Sequence, residues 1–150
     1  MKPRHTLLIL AAAFLFCGAA VLDLRARARS AYLEGEKYMA WAAEPALKKT
    51  ALDKDYADRF KKLEDGFADG SVSRADYEDR KGLLETEKTF KLGESSAKYA
   101  YIWYRTAARD FNPPATRWSR LAEEKSRGAL ALWKKELDAA KIKYEDYMLE

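Results

Sequence analysis

The stretch PALKKTALDKDYADRFKKLEDGFADGSVSRADYEDRKGLL, Pro45–Leu84, decides the fold class. Leu52, Tyr56, Phe60, Leu63 and Phe67 recur at steps of four, four, three and four, which lines one face of an α-helix. Pro45 suits the first turn of that helix, where an N–H has no partner to lose. Asp69–Gly70–Ser71–Val72 breaks the period. Ser73 then reads as an N-cap with Asp76 as its short-armed capping-box partner. A second helix follows to about Leu92, with Tyr77, Leu83, Leu84 and Phe90 apolar. Two such helices across a tight turn make a helical hairpin.

The same grammar extends in both directions. Downstream, Gly93 reads as a C-cap residue and Ser95 or Ser96 as a fresh N-cap. The segment Ala97–Phe111 is the most aromatic in the chain. Ala97, Tyr101, Tyr104, Ala108 and Phe111 fall on one face, and Tyr99 and Trp103 on another. A helix apolar on more than one side is buried between neighbours or offers one side to a partner. Asn112–Pro113–Pro114 forces a turn. One long helix is expected over Ala115–Met148, its stripe of Trp118, Leu121, Ala122, Leu132, Trp133, Leu137, Ala140, Tyr144 and Met148 keeping phase through Gly128. Upstream, a helix over about Leu24–Ala43 carries a weaker face of Tyr32, Met39 and Ala43, and ends before Pro45. No stretch alternates with period two, and Ala, Leu, Glu, Lys and Arg dominate. The expected fold is all-α: an N-terminal signal or membrane-anchor helix over residues 1–30, then a small bundle of helical hairpins in a single domain over 31–150.

The N-terminal expectation rests on an apolar run, Thr6–Leu22, with Lys2 and Arg4 before it and Arg25, Arg27 and Arg29 after it. As a helix the run spans about 25 Å, short against a hydrocarbon core of about 30 Å. Three readings are open. In a cleaved signal peptide, Gly18 and Ala20 would sit at the cleavage positions. An uncleaved anchor would continue through Arg25–Arg29 at the lipid surface. A lipoprotein would be attached through Cys17, although the bulky Phe16 precedes it. Each reading places the rest of the chain at the cell envelope, membrane-anchored or exported to the periplasm or beyond.

Composition removes several chemistries. The chain carries a formal net charge of +4, much of it in the flanks of the apolar run, and the remainder mixes acid and base with no basic stripe for nucleic acid. The single histidine is His5 and the single cysteine is Cys17. Residues 31–150 therefore have no disulfide, thiol nucleophile, histidine base, or histidine or thiolate metal ligand. No Gly-rich phosphate loop or nucleophile elbow is present. A calcium loop around Gly70 is spoiled by Phe67, which stands where an oxygen donor is needed. Neither cofactor nor metal is expected, and the chain reads as non-enzymatic.

Two resemblances sharpen this. Gly70, Val72, Ser73, Asp76, Tyr77, Glu78, Lys81, Leu83 and Leu84 follow the pattern of the short C-terminal (SHOCT) hairpin, and Tyr56–Phe67 fits its first arm, so residues 56–84 resemble that family. The resemblance implies a small association element without catalysis. On the same model Val72 plugs the turn, and Tyr77 and Leu84 pack back on Phe60 and Leu63. Residues 97–128 resemble the junction between tetratricopeptide-type repeats, with Tyr104 and Ala107 before the Pro113–Pro114 turn and Trp118, Leu121 and Ala122 after it.

Together these readings predict an assembly or adaptor subunit, exported or tethered through residues 6–22 if that run is retained, that meets a protein partner or a second copy of itself. The candidate interface residues are Tyr77, Leu84, Tyr99, Tyr101, Trp103, Tyr104 and Trp118. The alternative is an extracytoplasmic module that binds a small ligand or glycan on the aromatic helix through Trp103, Tyr99 and Trp118.

Overall fold

The structure, a computed structural model, describes residues 3–149, with side chains described from residue 10 onward. It is all-helical among the described residues. The α-helices are α1 (Pro3–Ala43), α2 (Pro45–Ala68), α3 (Arg74–Gly93), α4 (Ser96–Arg105) and α5 (Arg117–Ala139). A π-helical turn, Thr106–Asp110, extends α4, and a short 3-10 turn, Asp146–Met148, lies near the C-terminus. The chain divides into two compact units: Met1–Met39 with Ala97–Glu150, and Ala40–Ser96.

The second unit is the expected hairpin. Glu44 leaves the helical region and Pro45 begins α2. Leu52, Tyr56 and Leu63 are buried, Phe60 is half-buried and Phe67 is exposed. Gly70 takes φ +79°, a conformation that costs glycine little, and turns the chain. The Val72 N–H donates to the Gly66 carbonyl at 2.9 Å, and its side chain lies against Gly66, so Val72 does close the turn. Ser73 caps α3 by accepting from the Asp76 N–H. The Tyr77 ring meets Phe67 at 4.7 Å, a contact not among those expected of it.

The first unit brings the later part of α1 together with α4 and α5. α1 is one unbroken helix. Ala28, Ala31 and Tyr32 are buried, as are Ala97, Ala100, Tyr101, Tyr104, Ala107 and Ala108 on α4 and its π turn, and Ala122 and Ala129 on α5. Small residues let the helices approach closely, and the aromatic rings fill the space that is left. α5 starts from a buried capping box in which Thr116 and Ser119 each accept the other's N–H.

Two helix ends depart from the sequence reading. The expected helical segment Ala97–Phe111 becomes α4 plus the π turn. The long final helix ends at Ala139 and not Met148. It closes in a Schellman arrangement, with Lys141 N–H to the Asp138 carbonyl and Ile142 N–H to the Leu137 carbonyl, both 3.0 Å. Lys141 occupies the left-handed region, φ +57°, where glycine is usual. The chain then turns so that Leu149 is buried and Asp146 meets Lys134 at 2.6 Å.

Among the described residues no helix is long and apolar enough to cross a membrane. The run Thr6–Leu22 begins at residues 6–9, which lie outside the described side chains, and the described part of α1 gives the expected anchor no support. That part is nonetheless apolar and uncovered: Leu10, Phe14, Leu15, Phe16 and Leu22 are all exposed.

Candidate functional site

The aromatic segment acquires its geometry from a glycine. Gly35 on α1 lies under the Tyr104 ring so closely that a Cβ there would fall 2.6 Å from two ring carbons. This contact places the Tyr104 hydroxyl on Glu36, to which it donates. Lys125 of α5 donates to both Glu36 oxygens, at 2.6 and 2.7 Å. One carboxylate thus ties α1, α4 and α5 together.

Electrostatics fix the charge states. Burial alone would raise the Glu36 pKa, but hydrogen bonds from Lys125 and Tyr104 outweigh it and hold the carboxyl below its ordinary value. Lys125 is raised, chiefly by its hydrogen bond to Glu36. Tyr104 is raised by burial and then by Glu36. All three groups move away from neutrality, so none is poised to exchange a proton near pH 7. The trio is suited to locking helices.

A ring cluster continues from it. Tyr32 packs against Tyr104 at 5.8 Å and against Trp118 at 5.3 Å. Lys125 lies 5.5 Å over Tyr32, and Arg29 and Arg117 each lie 5.7 Å over Trp118. Nearby in the chain, Tyr99 stacks on Tyr38 at 5.3 Å, and Tyr101 meets Trp133 at 6.1 Å.

The candidate residues therefore separate. Tyr101 and Tyr104 are interior. Tyr99, Trp103 and Trp118 are half-buried, each keeping part of its surface open. In the hairpin, Tyr77 and Leu84 are also half-buried. No residue of α3 is fully buried, and the most open large apolar side chains on it are Leu83, 69% exposed, and Phe90, 63% exposed. These two stand seven residues apart, on one stripe of the helix.

A second polar cluster holds the hairpin arms. Arg59 makes a two-pronged contact with Glu87, at 3.2 and 3.1 Å, and Lys91 reaches Glu87 at 2.8 Å. The Glu87 carboxyl is brought down to about 2, first by Arg59 and then by Lys91. Lys88 pairs with Asp53 at 2.7 Å. The buried Lys48 donates to the carbonyls of Leu92 and Glu94, at 3.1 and 2.5 Å, and so covers the C-terminus of α3. The Arg59 and Lys91 cations lie 4.8 and 5.7 Å over the Tyr56 ring. Its hydroxyl adds to the field around Glu87 but makes no hydrogen bond of ordinary geometry among the described residues.

Sequence reasoning missed Gly35, Glu36 and Lys125, because their meeting depends on contacts between residues 68 and 89 positions apart. It also passed over Leu83 and Phe90 as interface residues in favour of Tyr77 and Leu84. No family model, curated protein or solved structure matches the chain.

Proposed function

We propose that the protein is a non-enzymatic assembly or adaptor subunit of the cell envelope, tethered or exported through its N-terminal apolar run, that docks a protein partner or a second copy of itself. The observation that carries this reading is the open apolar stripe of Leu83 and Phe90 on a helix whose other side already packs on α2. Apolar surface of this kind is stabilised by being covered. The tether is carried over from the flanked apolar run of the sequence; the described part of α1 is not apolar enough to span a bilayer, but its uncovered apolar side chains, Phe14 at 84% exposed among them, suit attachment at a membrane surface. The ionisable trio at Glu36, each member shifted away from neutral pH, suits a structural part and not an acid–base catalyst. Within the SHOCT-like hairpin, this reading moves the contact from Tyr77 and Leu84 to Leu83 and Phe90.

The test is the mass of the full-length protein in mild detergent, by light scattering after size exclusion, beside Leu83→Ser/Phe90→Ser. Wild-type oligomers that the variant loses, with helix content unchanged, would support self-association. A monomer in both cases would remove self-association and leave a foreign partner. Equal oligomers in both would place the contact elsewhere.

A further inference from the structure

Arginines after an apolar run are common flanks, but here the fold gathers them. Arg29 of α1 and Arg117, the first residue of α5, converge on the ring of Trp118, each guanidinium 5.7 Å from its centroid. The two residues are 88 positions apart in sequence, so only the packing of the first unit makes the pair. Neither meets a carboxylate among the described residues, and both are exposed. Arg27 contrasts with them: it pairs with Asp23 at 2.7 Å and is neutralised within its own helix. Arg25 lies one turn before Arg29 on the same side of α1 and is likewise unpaired among the described residues. Arg29 and Arg117 thus flank one half-buried indole, with Arg25 one helical turn before Arg29, and no ion pair engages the three among the described residues.

Position along α1 supplies the ligand chemistry. Arg25 and Arg29 follow Leu22 by about 4.5 and 10 Å on a helix that does not break. The polar layer of a bilayer is about 5–8 Å deep on each side of the hydrocarbon. Arg25 would stand within that layer, and the long side chain of Arg29 reaches back toward it. Guanidinium groups bind phosphate oxygens in a two-pronged geometry, and tryptophan favours the same depth.

We propose that Arg25, Arg29, Arg117 and Trp118 form a docking surface for the phosphate headgroups of anionic lipids, holding the first unit against the membrane. The inference rests on the tethered reading of the apolar run.

The experiment uses the full chain with vesicles of phosphatidylcholine, with or without phosphatidylglycerol, and a lipid spin-labelled at its headgroup. Emission of wild type minus that of Trp118→Phe isolates Trp118. Anionic lipid should strengthen quenching of that component about twofold over neutral lipid, and high salt should reverse the gain. Arg29→Gln/Arg117→Gln should lose the gain, while Arg29→Lys/Arg117→Lys, which keeps the charge, should retain most of it. Equal quenching in both lipids would overturn the proposal, as would a gain that survives the double glutamine change. A gain abolished by millimolar inorganic phosphate at constant ionic strength would also overturn it, in favour of a free-anion site. Vesicle flotation separates the two readings. Protein that floats with both lipids without the anionic gain leaves the tether standing and removes this surface; protein that floats with neither removes both.

Discussion

Tyr104 and Tyr56 are the two largest fully buried side chains, one in each unit, and they are held in opposite ways. Tyr104 sits on Gly35 and spends its hydroxyl on Glu36, which Lys125 also holds. Tyr56 buries its hydroxyl without such a partner and is flanked by the cations that neutralise Glu87. The unit made from α1, α4 and α5 is interlocked by shape and by one satisfied polar network. The hairpin is a short apolar seam with ion pairs along its rim. Shape-locked helices punish any change of volume, whereas a seam with an open side tolerates it.

The largest expected effect tests that contrast at glycine. Gly35→Ala should destabilise the first unit by about 1–3 kcal/mol, because the new methyl group strikes the Tyr104 ring. Helix propensity alone would predict a gain. Gly82→Ala in the hairpin meets nothing within 4 Å and should give that gain, about 0.5–1 kcal/mol. Urea titration read by tryptophan emission for the first unit and by hydrogen exchange for α3 measures both. A stabilising Gly35→Ala would break the picture of a wedged ring.

Next come the tyrosines themselves. Tyr104→Phe removes a hydrogen bond to a charged, partly exposed acceptor and should cost about 1–2 kcal/mol. Tyr56→Phe should cost less than Tyr104→Phe, since its hydroxyl makes no hydrogen bond of ordinary geometry among the described residues and only adds to the field that holds Glu87 ionised. Equal losses in the same titration would erase the distinction between the units.

Acid should sharpen it. Glu87 has a folded-state pKa of about 2, below its unfolded value, so its contribution is full above the unfolded pKa of about 4.5. That contribution is lost as pH falls from about 4.5 toward 2. The protection of α3 against hydrogen exchange, relative to the intrinsic rate at each pH, should fall over that window, and Glu87→Gln should flatten the dependence. A wild-type profile identical to that of the variant would show that the rim pairs do not hold the arms. The smallest effect lies at the end of α5. Lys141→Gly should raise the melting temperature, by about 0.5 kcal/mol of stability, by relieving a left-handed lysine. No change would mean that Lys141 is not strained.

The same contrast explains what the sequence made legible. The outline of the hairpin could be read, since most of its stripe, Gly70, the Ser73 cap and Pro45 act within a few positions, although Phe67 at the end of the stripe is exposed. So could the all-helical class and the shared face of Tyr101 and Tyr104, although the sequence pointed to both as interface residues and they are buried within the first unit. The interlock could not be read, because nothing near Gly35 in the sequence signals a ring arriving from residue 104. The π turn and the lysine-capped end of α5 were hidden for a related reason. Burial of Ala107, Ala108 and Leu149 outweighs local preference there, and no glycine marks the stop.

α1 carries one last implication. It passes from the exposed apolar run into the core face at Ala28 without a glycine or proline between Leu22 and Ala31. The first unit is joined to that run by a rod, not a leash, about 9 Å from Leu22 to Ala28. Rotation or tilt of the N-terminal segment is transmitted directly to Tyr32 and Gly35. Inserting one residue between them would turn the two ends by about 100°. Whatever holds the N-terminus thereby also sets the angle at which the first unit is presented.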